Sequence, residues 1–292
     1  MVDILFSYSF IIVMLGTLVL AVACACIGSI SVFKGQSLIG DAIGHATFPG
    51  VVLAFMIFGV LDSAYLIIGA IVFGILAFHL IQKITDHSKV TLDSALALIL
   101  SGFFGLGLVL KSYVQGHPNF NGSQGIDDFI FGQAAYMLRS DVYLIIAAAV
   151  VSLLLFYVFY QPIKIYIFDQ TFSQTLGIKQ SLMNGLVLIM TISLIAVGLK
   201  AVGAILIVNL LIAPTVIGRL WCTSYPYVLA LGMIVAGISA FIGTYLSTAF
   251  VGIATGPAII LVLSCALLIS LIVAPSGPIK ALINKRRVGN QL

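Results

Sequence analysis

Long apolar runs recur from one end of this chain to the other, and each is close to the ~20 residues that cross a bilayer as a helix. Nine can be read, at about 5–32, 38–60, 64–82, 93–112, 140–160, 182–199, 201–221, 227–249 and 256–274. The 292 residues are 62% hydrophobic and 8% charged, a balance that no water-soluble domain carries. The runs lack the alternation of barrel strands, and lipid accepts only helices and closed barrels across its core. The expected fold is therefore an all-α polytopic membrane protein, one domain over 1–292, with eight to nine transmembrane helices. The count hinges on the sixth and seventh runs, which abut with only Lys200 between them. The first run, from about Leu5 to Phe33, has no basic n-region and reads as a retained span.

Charge sets the orientation. With the N-terminus outside and nine spans, only Lys111, Arg139 and Lys200 of the 13 basic residues fall outside. The rest fall on the cytoplasmic side, as Lys and Arg in short loops do. The net charge of +4 is thus a product of topology and calls for no nucleic-acid partner. The longest polar connection, about 113–139, lies outside and holds His117, Asp127 and Asp128 as external acceptors. No stretch fits a phosphate-binding P-loop, so the chain is not expected to hydrolyse ATP itself. No nucleophile–base or paired-carboxylate arrangement points to an enzyme. Cys24, Cys26, Cys222 and Cys265 form no Cys-x-x-Cys motif and read as small packing residues.

One cluster breaks the apolar pattern. Residues 37–54 place Asp41 and His45 four residues apart within the second run, on one face of a helix. Ionisable groups are costly in lipid and face a bundle interior, a partner or an ion path. An oxygen and a nitrogen ligand together suit a borderline divalent cation such as manganese, iron or zinc. Gly40 and Gly44 form a small-xxx-small spacing beside them, with Phe48 on the same stripe, and two such helices meeting at a two-fold axis would assemble two Asp and two His. The alternative is an Asp–His pair that only holds helices together. Pro49 is a candidate kink, as is Pro214. His79, Asp86 and His87 read as the end of a span and a solvated turn, and Asp93 as a helix cap or first-turn acid. Arg219 and Trp221 read as a membrane-border anchor.

A second segment, 168–179, lies between spans on the cytoplasmic side. Asp169 reads as the cap of a short helix, Phe172 and Leu176 as its apolar face and Gly177 as its stop. An exposed apolar face on such a helix suits a docking partner, and the alternative is that the segment packs on its own bundle.

With these residues in view, the chain resembles the membrane (permease) subunit of the manganese/zinc/iron ABC transporter family. Ser37-Leu38-Ile39-Gly40-Asp41-Ala42, followed by His45-Ala46 and Pro49-Gly50, is similar to that family's first signature. Phe168-Asp169 through Leu176-Gly177 is similar to its coupling segment. Val202-Gly203-Ala204 through Pro214, and Thr255-Gly256-Pro257, are similar to its later spans. The sequence departs from the family where Leu92 precedes Asp93 in place of a frequent Glu, and where Gln170 and Thr171 follow Asp169 in place of Pro and Glu.

The resemblance implies the vitamin B12/siderophore permease fold and a homodimer in a bacterial cell membrane. It implies two cytoplasmic ATPase subunits and an extracellular metal-binding protein as partners. Asp41 and His45 would then serve the metal path for a transported manganese, zinc or iron ion, with no permanently bound cofactor. A stand-alone secondary carrier or channel is the alternative, and it would need coupling acids such as Asp41 and Asp93 inside the bundle.

Overall fold

The computed structural model describes residues 8–117, 120, 125, 132, 137–250 and 252–277. Among the described residues the chain is helical and forms no strand. The helices are α1 (Tyr8–Phe33), α2 (Ile39–Ala46), α3 (Phe48–Phe58), α4 (Ser63–His87), α5 (Leu92–Gly116), α6 (Arg139–Val158), α7 (Tyr160–Phe168), α8 (Gln170–Thr175), α9 (Gln180–Val202), α10 (Ala204–Trp221), α11 (Tyr225–Ala249) and α12 (Thr255–Val273). Nine segments within these residues are long and apolar enough to cross a membrane, with α2 and α3 together making one of them. The count is therefore nine, because Gly203 separates α9 from α10 with φ +81°, a conformation that side chains with a Cβ rarely adopt. Most of the 113–139 connection, including Asp127 and Asp128, lies outside the described residues.

Local capping explains where the helices start. Asp62 accepts a hydrogen bond from the Ala64 amide at 2.9 Å and opens α4. Thr91, not Asp93, caps α5: its Oγ1 accepts from the Ser94 amide at 3.4 Å, and Asp93 sits exposed in the first turn. Pro49 occupies the start of α3, where a missing amide costs least, so the break falls at Thr47. The Thr47 hydroxyl donates to the Gly44 carbonyl at 2.7 Å. Pro214 lies inside α10.

α1 is the central post of the bundle and packs against α6, α9, α10 and α11. Its buried polar groups are all satisfied internally, as a site without water requires. The Thr17 hydroxyl donates to the Val13 carbonyl at 2.8 Å and lies 3.1 Å from the Thr244 hydroxyl of α11. Ser29 donates to the Cys26 carbonyl at 2.7 Å and lies 3.0 Å from the Tyr225 hydroxyl. The four cysteines are free, and Cys24 and Cys26 are buried packing residues of α1. At the opposite end of the bundle, buried Asp141 accepts from the Leu138 amide at 3.1 Å and the Ser63 hydroxyl at 2.9 Å, tying the starts of α4 and α6 together.

Backbone contact without side chains fixes the pairing of α3 with α4. A Cβ on Gly50 would lie 2.1 Å from the Gly69 carbonyl oxygen, and one on Gly69 would lie 2.2 Å from that of Gly50. This is the close approach that small residues permit between membrane helices. Gly69→Leu is expected to prevent this pairing and to replace a monodisperse size-exclusion peak with aggregate, whereas Gly102→Leu, where nothing lies within 4 Å, should leave folding of the single chain unchanged.

Candidate metal centre

The depth of the Asp41/His45 pair follows from its neighbours. Thr47, two residues beyond His45, packs against Gly74, near the centre of α4. A Cβ on Gly74 would lie 3.2 Å from the Thr47 methyl and 3.2 Å from Ile192, near the centre of α9. The carboxylate and imidazole therefore sit close to mid-bundle. His45 Nε2 lies 3.4 Å from Asp41 Oδ1, as the helical spacing requires.

α2 shows a different neighbour on each face. Gly40 and Gly44 are buried against the chain itself: a Cβ on Gly40 would meet Leu211 of α10 at 3.0 Å, and one on Gly44 would meet Val208 at 3.9 Å and Ile195 at 4.0 Å. Phe48 is buried too, and a Cβ on Gly107 of α5 would lie 2.4 Å from its ring. Within the single chain, then, Gly40, Gly44 and Phe48, the three residues expected at a two-fold contact, pack against its own helices. Ala42 and Ala46 pack into a small cluster with Ala77, Ala95 and Leu96 of α4 and α5. The Asp41/His45 face stays partly open, with 33% of the Asp41 side chain and 23% of the His45 side chain exposed.

Aromatic packing orients the imidazole. Phe104 of α5 meets the His45 ring edge-on, with centroids 5.0 Å apart and planes at 77°. A crevice of about 10 Å³ beside His45 is lined by apolar side chains, among them Phe48, Val51 and Leu199. That is room for about one water molecule. Among the described residues no group of three or more His, Cys, Asp or Glu side chains comes together, so Asp41 and His45 stand as a pair within one chain. The other candidates stand apart. His79, Asp86, His87 and Asp93 are all exposed. The Nδ1 of His79 pairs with the Ile75 carbonyl at 2.9 Å, and that of His87 with the Lys83 carbonyl at 3.3 Å.

The second segment forms the short helix α8. Asp169 Oδ1 accepts from the Phe172 amide at 2.8 Å. Ser173 is fully buried and anchors the helix, whereas Phe172 and Leu176 are about half exposed. Gly177, at φ +78°, ends it, and its amide donates to the Gln174 carbonyl at 2.9 Å. Sequence reasoning missed α7, which follows a break at Phe159. It also missed the aromatic cluster that holds α7 in place: Phe33 lies 5.5 Å from Phe168 and 5.1 Å from Tyr225 between ring centroids. Arg219, read as a membrane-border anchor, lies with its guanidinium 5.0 Å from the Phe33 ring centroid. No periodic signal marks such contacts, because they join residues far apart in sequence.

Among the described residues, nine membrane-length segments surround the carboxylate–imidazole pair, and a short helix with Phe172 exposed stands at one end, an architecture that suits a membrane permease. The chain belongs to the ABC 3 transport family, whose profile matches residues 7–274. It is thus a multi-pass protein of a bacterial plasma membrane. It is 38% identical over 269 residues to the manganese transport system membrane protein MntC of Bacillus subtilis (strain 168), covering 92% of this chain and 62% of that longer protein. It is 37% identical over 277 residues to the zinc transport system membrane protein TroC of Treponema pallidum (strain Nichols), covering 94% of this chain and 93% of that one. The solved structure of PsaBC from Streptococcus pneumoniae in complex with Fab superposes with a TM-score of 0.83 at 27% identity, over 94% of this chain and 95% of that one. A proposed metal-chelate type ABC transporter in an inward-facing conformation shares the fold, with a TM-score of 0.68 at 17% identity over 89% of this chain and 84% of that one.

Proposed function

We propose that the chain is the membrane-spanning subunit of an ATP-driven importer for manganese, zinc or iron, and that two copies form the pore. The observation that carries this reading is the mid-bundle Asp41/His45 pair, which stays partly open while Gly40, Gly44, Ala42 and Ala46 of the same helix pack against their own chain. A second copy across a two-fold axis would bring four ligands of mixed oxygen and nitrogen character to one ion. α5 supports the arrangement. It carries Phe104 against His45, and its Gly102 and Gly105 meet nothing within 4 Å. Two helices can approach closely at such open glycines. In this reading α8 docks on a cytoplasmic ATPase, a separate binding protein delivers the ion from outside, and the ion is cargo with no resident cofactor.

A stand-alone carrier fits less well, since Asp93 lies exposed at the start of α5 and offers no coupling acid inside the bundle. The deciding experiment is reconstitution into proteoliposomes with and without an ATPase partner. Metal uptake that requires the partner and ATP supports the importer, and equal uptake by the chain alone supports the carrier. The two-fold contact has its own test in a Cys222→Ser, Cys265→Ser background. Gly102→Cys and Gly105→Cys are expected to crosslink between copies, whereas Gly40→Cys, buried within its own chain, should not. Failure of both α5 positions to crosslink would remove the proposed axis.

A further inference from the structure

At the end of the bundle that the basic residues assign to the cytoplasm, α1, α2, α4, α7 and α9 leave a cavity of about 340 Å³. That size falls within the range of small-molecule sites. One wall carries Lys34, Tyr166 and Asn184, and another carries Gln82, Thr85 and Asp86. The Lys34 ammonium donates to the Tyr166 hydroxyl and, at 3.4 Å, to Asn184 Oδ1, and it lies 4.2 Å from the Tyr166 ring centroid. The Tyr166 hydroxyl in turn donates to Asn184 Oδ1.

Every one of these partners is neutral. Among the described residues Lys34 forms no ion pair: Asp86 lines the same cavity, yet its carboxylate is not within 4 Å of the ammonium. A half-buried cation without a counter-ion is a costly feature to build. Burial lowers the Lys34 pKa to about 8 and raises that of the Tyr166 phenol to about 12, so near neutral pH the pair presents one positive charge and one neutral donor. The N-terminus of α9 has no side-chain cap and adds the positive end of a helix beside Gln180, which also lines the cavity.

We propose that this cavity is a binding site for a small anion from the cytoplasm, a phosphate- or carboxylate-bearing group that pairs with Lys34 beside Asn184. Its polar walls then serve the rest of the ligand, with Asp86 favouring a hydroxyl, amide or amino function on the far side. The position gives the site a consequence. Ile39 and Ile43 of α2 line the cavity from the helix face opposite Asp41 and His45, and Gln170 lines it from α8. An occupant therefore touches both the helix that holds the ligand pair and the helix that faces the partner. Resting on the importer reading, occupancy is expected to change the rate of metal uptake.

The test of binding does not depend on transport. The full chain, purified in detergent, is unfolded thermally in rising inorganic phosphate or citrate, with ionic strength held constant by chloride. A saturable rise in midpoint is expected, with apparent affinity falling as pH is raised through about 8 and Lys34 loses its proton. Lys34→Gln should remove the effect. Asn184→Asp keeps the size of the side chain but gives the ammonium a carboxylate, and it should weaken binding at least tenfold even if Lys34→Gln fails to fold. A lipid headgroup is distinguished by a second arm, in nanodiscs of phosphatidylcholine with or without phosphatidylglycerol: stabilisation by the anionic lipid that Asn184→Asp removes would assign the same site to a headgroup. No saturable effect of phosphate, citrate or phosphatidylglycerol, or an equal effect in wild type and Asn184→Asp, would overturn the proposal.

Discussion

Asp41→Ala and His45→Ala are each expected to reduce metal uptake by at least about 100-fold while leaving the chain folded and membrane-inserted. Loss of a residue that merely supports a metal ligand costs about 10- to 100-fold, so loss of a ligand itself from a four-ligand site should cost more. Folding should survive because both side chains lie on a partly open face of α2, and among the described residues the 3.4 Å contact between them is their one polar interaction. The cavity-filling groups around them, Ala42, Ala46, Gly40 and Gly44, are untouched. Uptake of a radioactive metal ion in proteoliposomes measures the loss, and size-exclusion chromatography checks the fold. Asp41→Asn separates charge from shape, since it keeps an oxygen at the site and removes the negative charge that a divalent cation favours. Full uptake by both alanine variants would place the ion path elsewhere.

The second large effect is expected at α8. Phe172→Asp should abolish ATP-driven uptake, or prevent recovery of the ATPase with the permease, without weakening metal binding. Phe172 and Leu176 are about half exposed on a helix that is fixed from below by buried Ser173 and capped by Asp169. A rigid helix with an uncovered apolar pair is the shape that inserts into a groove of another protein. A charge placed there would have to be buried unpaired at the contact, which is among the costliest changes an interface can suffer. Pull-down of the ATPase and metal-dependent ATP hydrolysis read the outcome. Normal assembly and uptake in the variant would move the docking surface away from this helix.

The two sites differ in how far the sequence alone exposes them. α8 could be read almost completely, because an Asp cap, a three-to-four spacing of apolar residues and a glycine stop act within one turn of helix. The Asp41/His45 pair could also be read, because i and i+4 share a helix face whatever surrounds them. Its environment could not. Gly40 and Gly44 have the spacing of a helix–helix contact, and the sequence does not say which helix they meet. The structure answers α10 and α9 of the same chain, through Leu211, Val208 and Ile195. Gly102 and Gly105 of α5 meet nothing within 4 Å, although α5 packs on α2, α3 and α4.

The sequence by itself determined the all-helical membrane class, the places of nine apolar runs that make eight or nine spans, and the end of the bundle that faces the cytoplasm. Those follow from the cost of bringing backbone and charge into lipid, a local property of each segment. The structure decided that the sixth and seventh runs are two helices parted at Gly203, whose positive φ ends one helix and starts the next. Only the tertiary structure decided which face of α2 stays open, that Phe104 meets His45, and that Lys34, Tyr166 and Asn184 converge. Those residues come from separate helices, and their meeting depends on how the bundle packs. Periodicity and propensity along one segment carry no record of that packing.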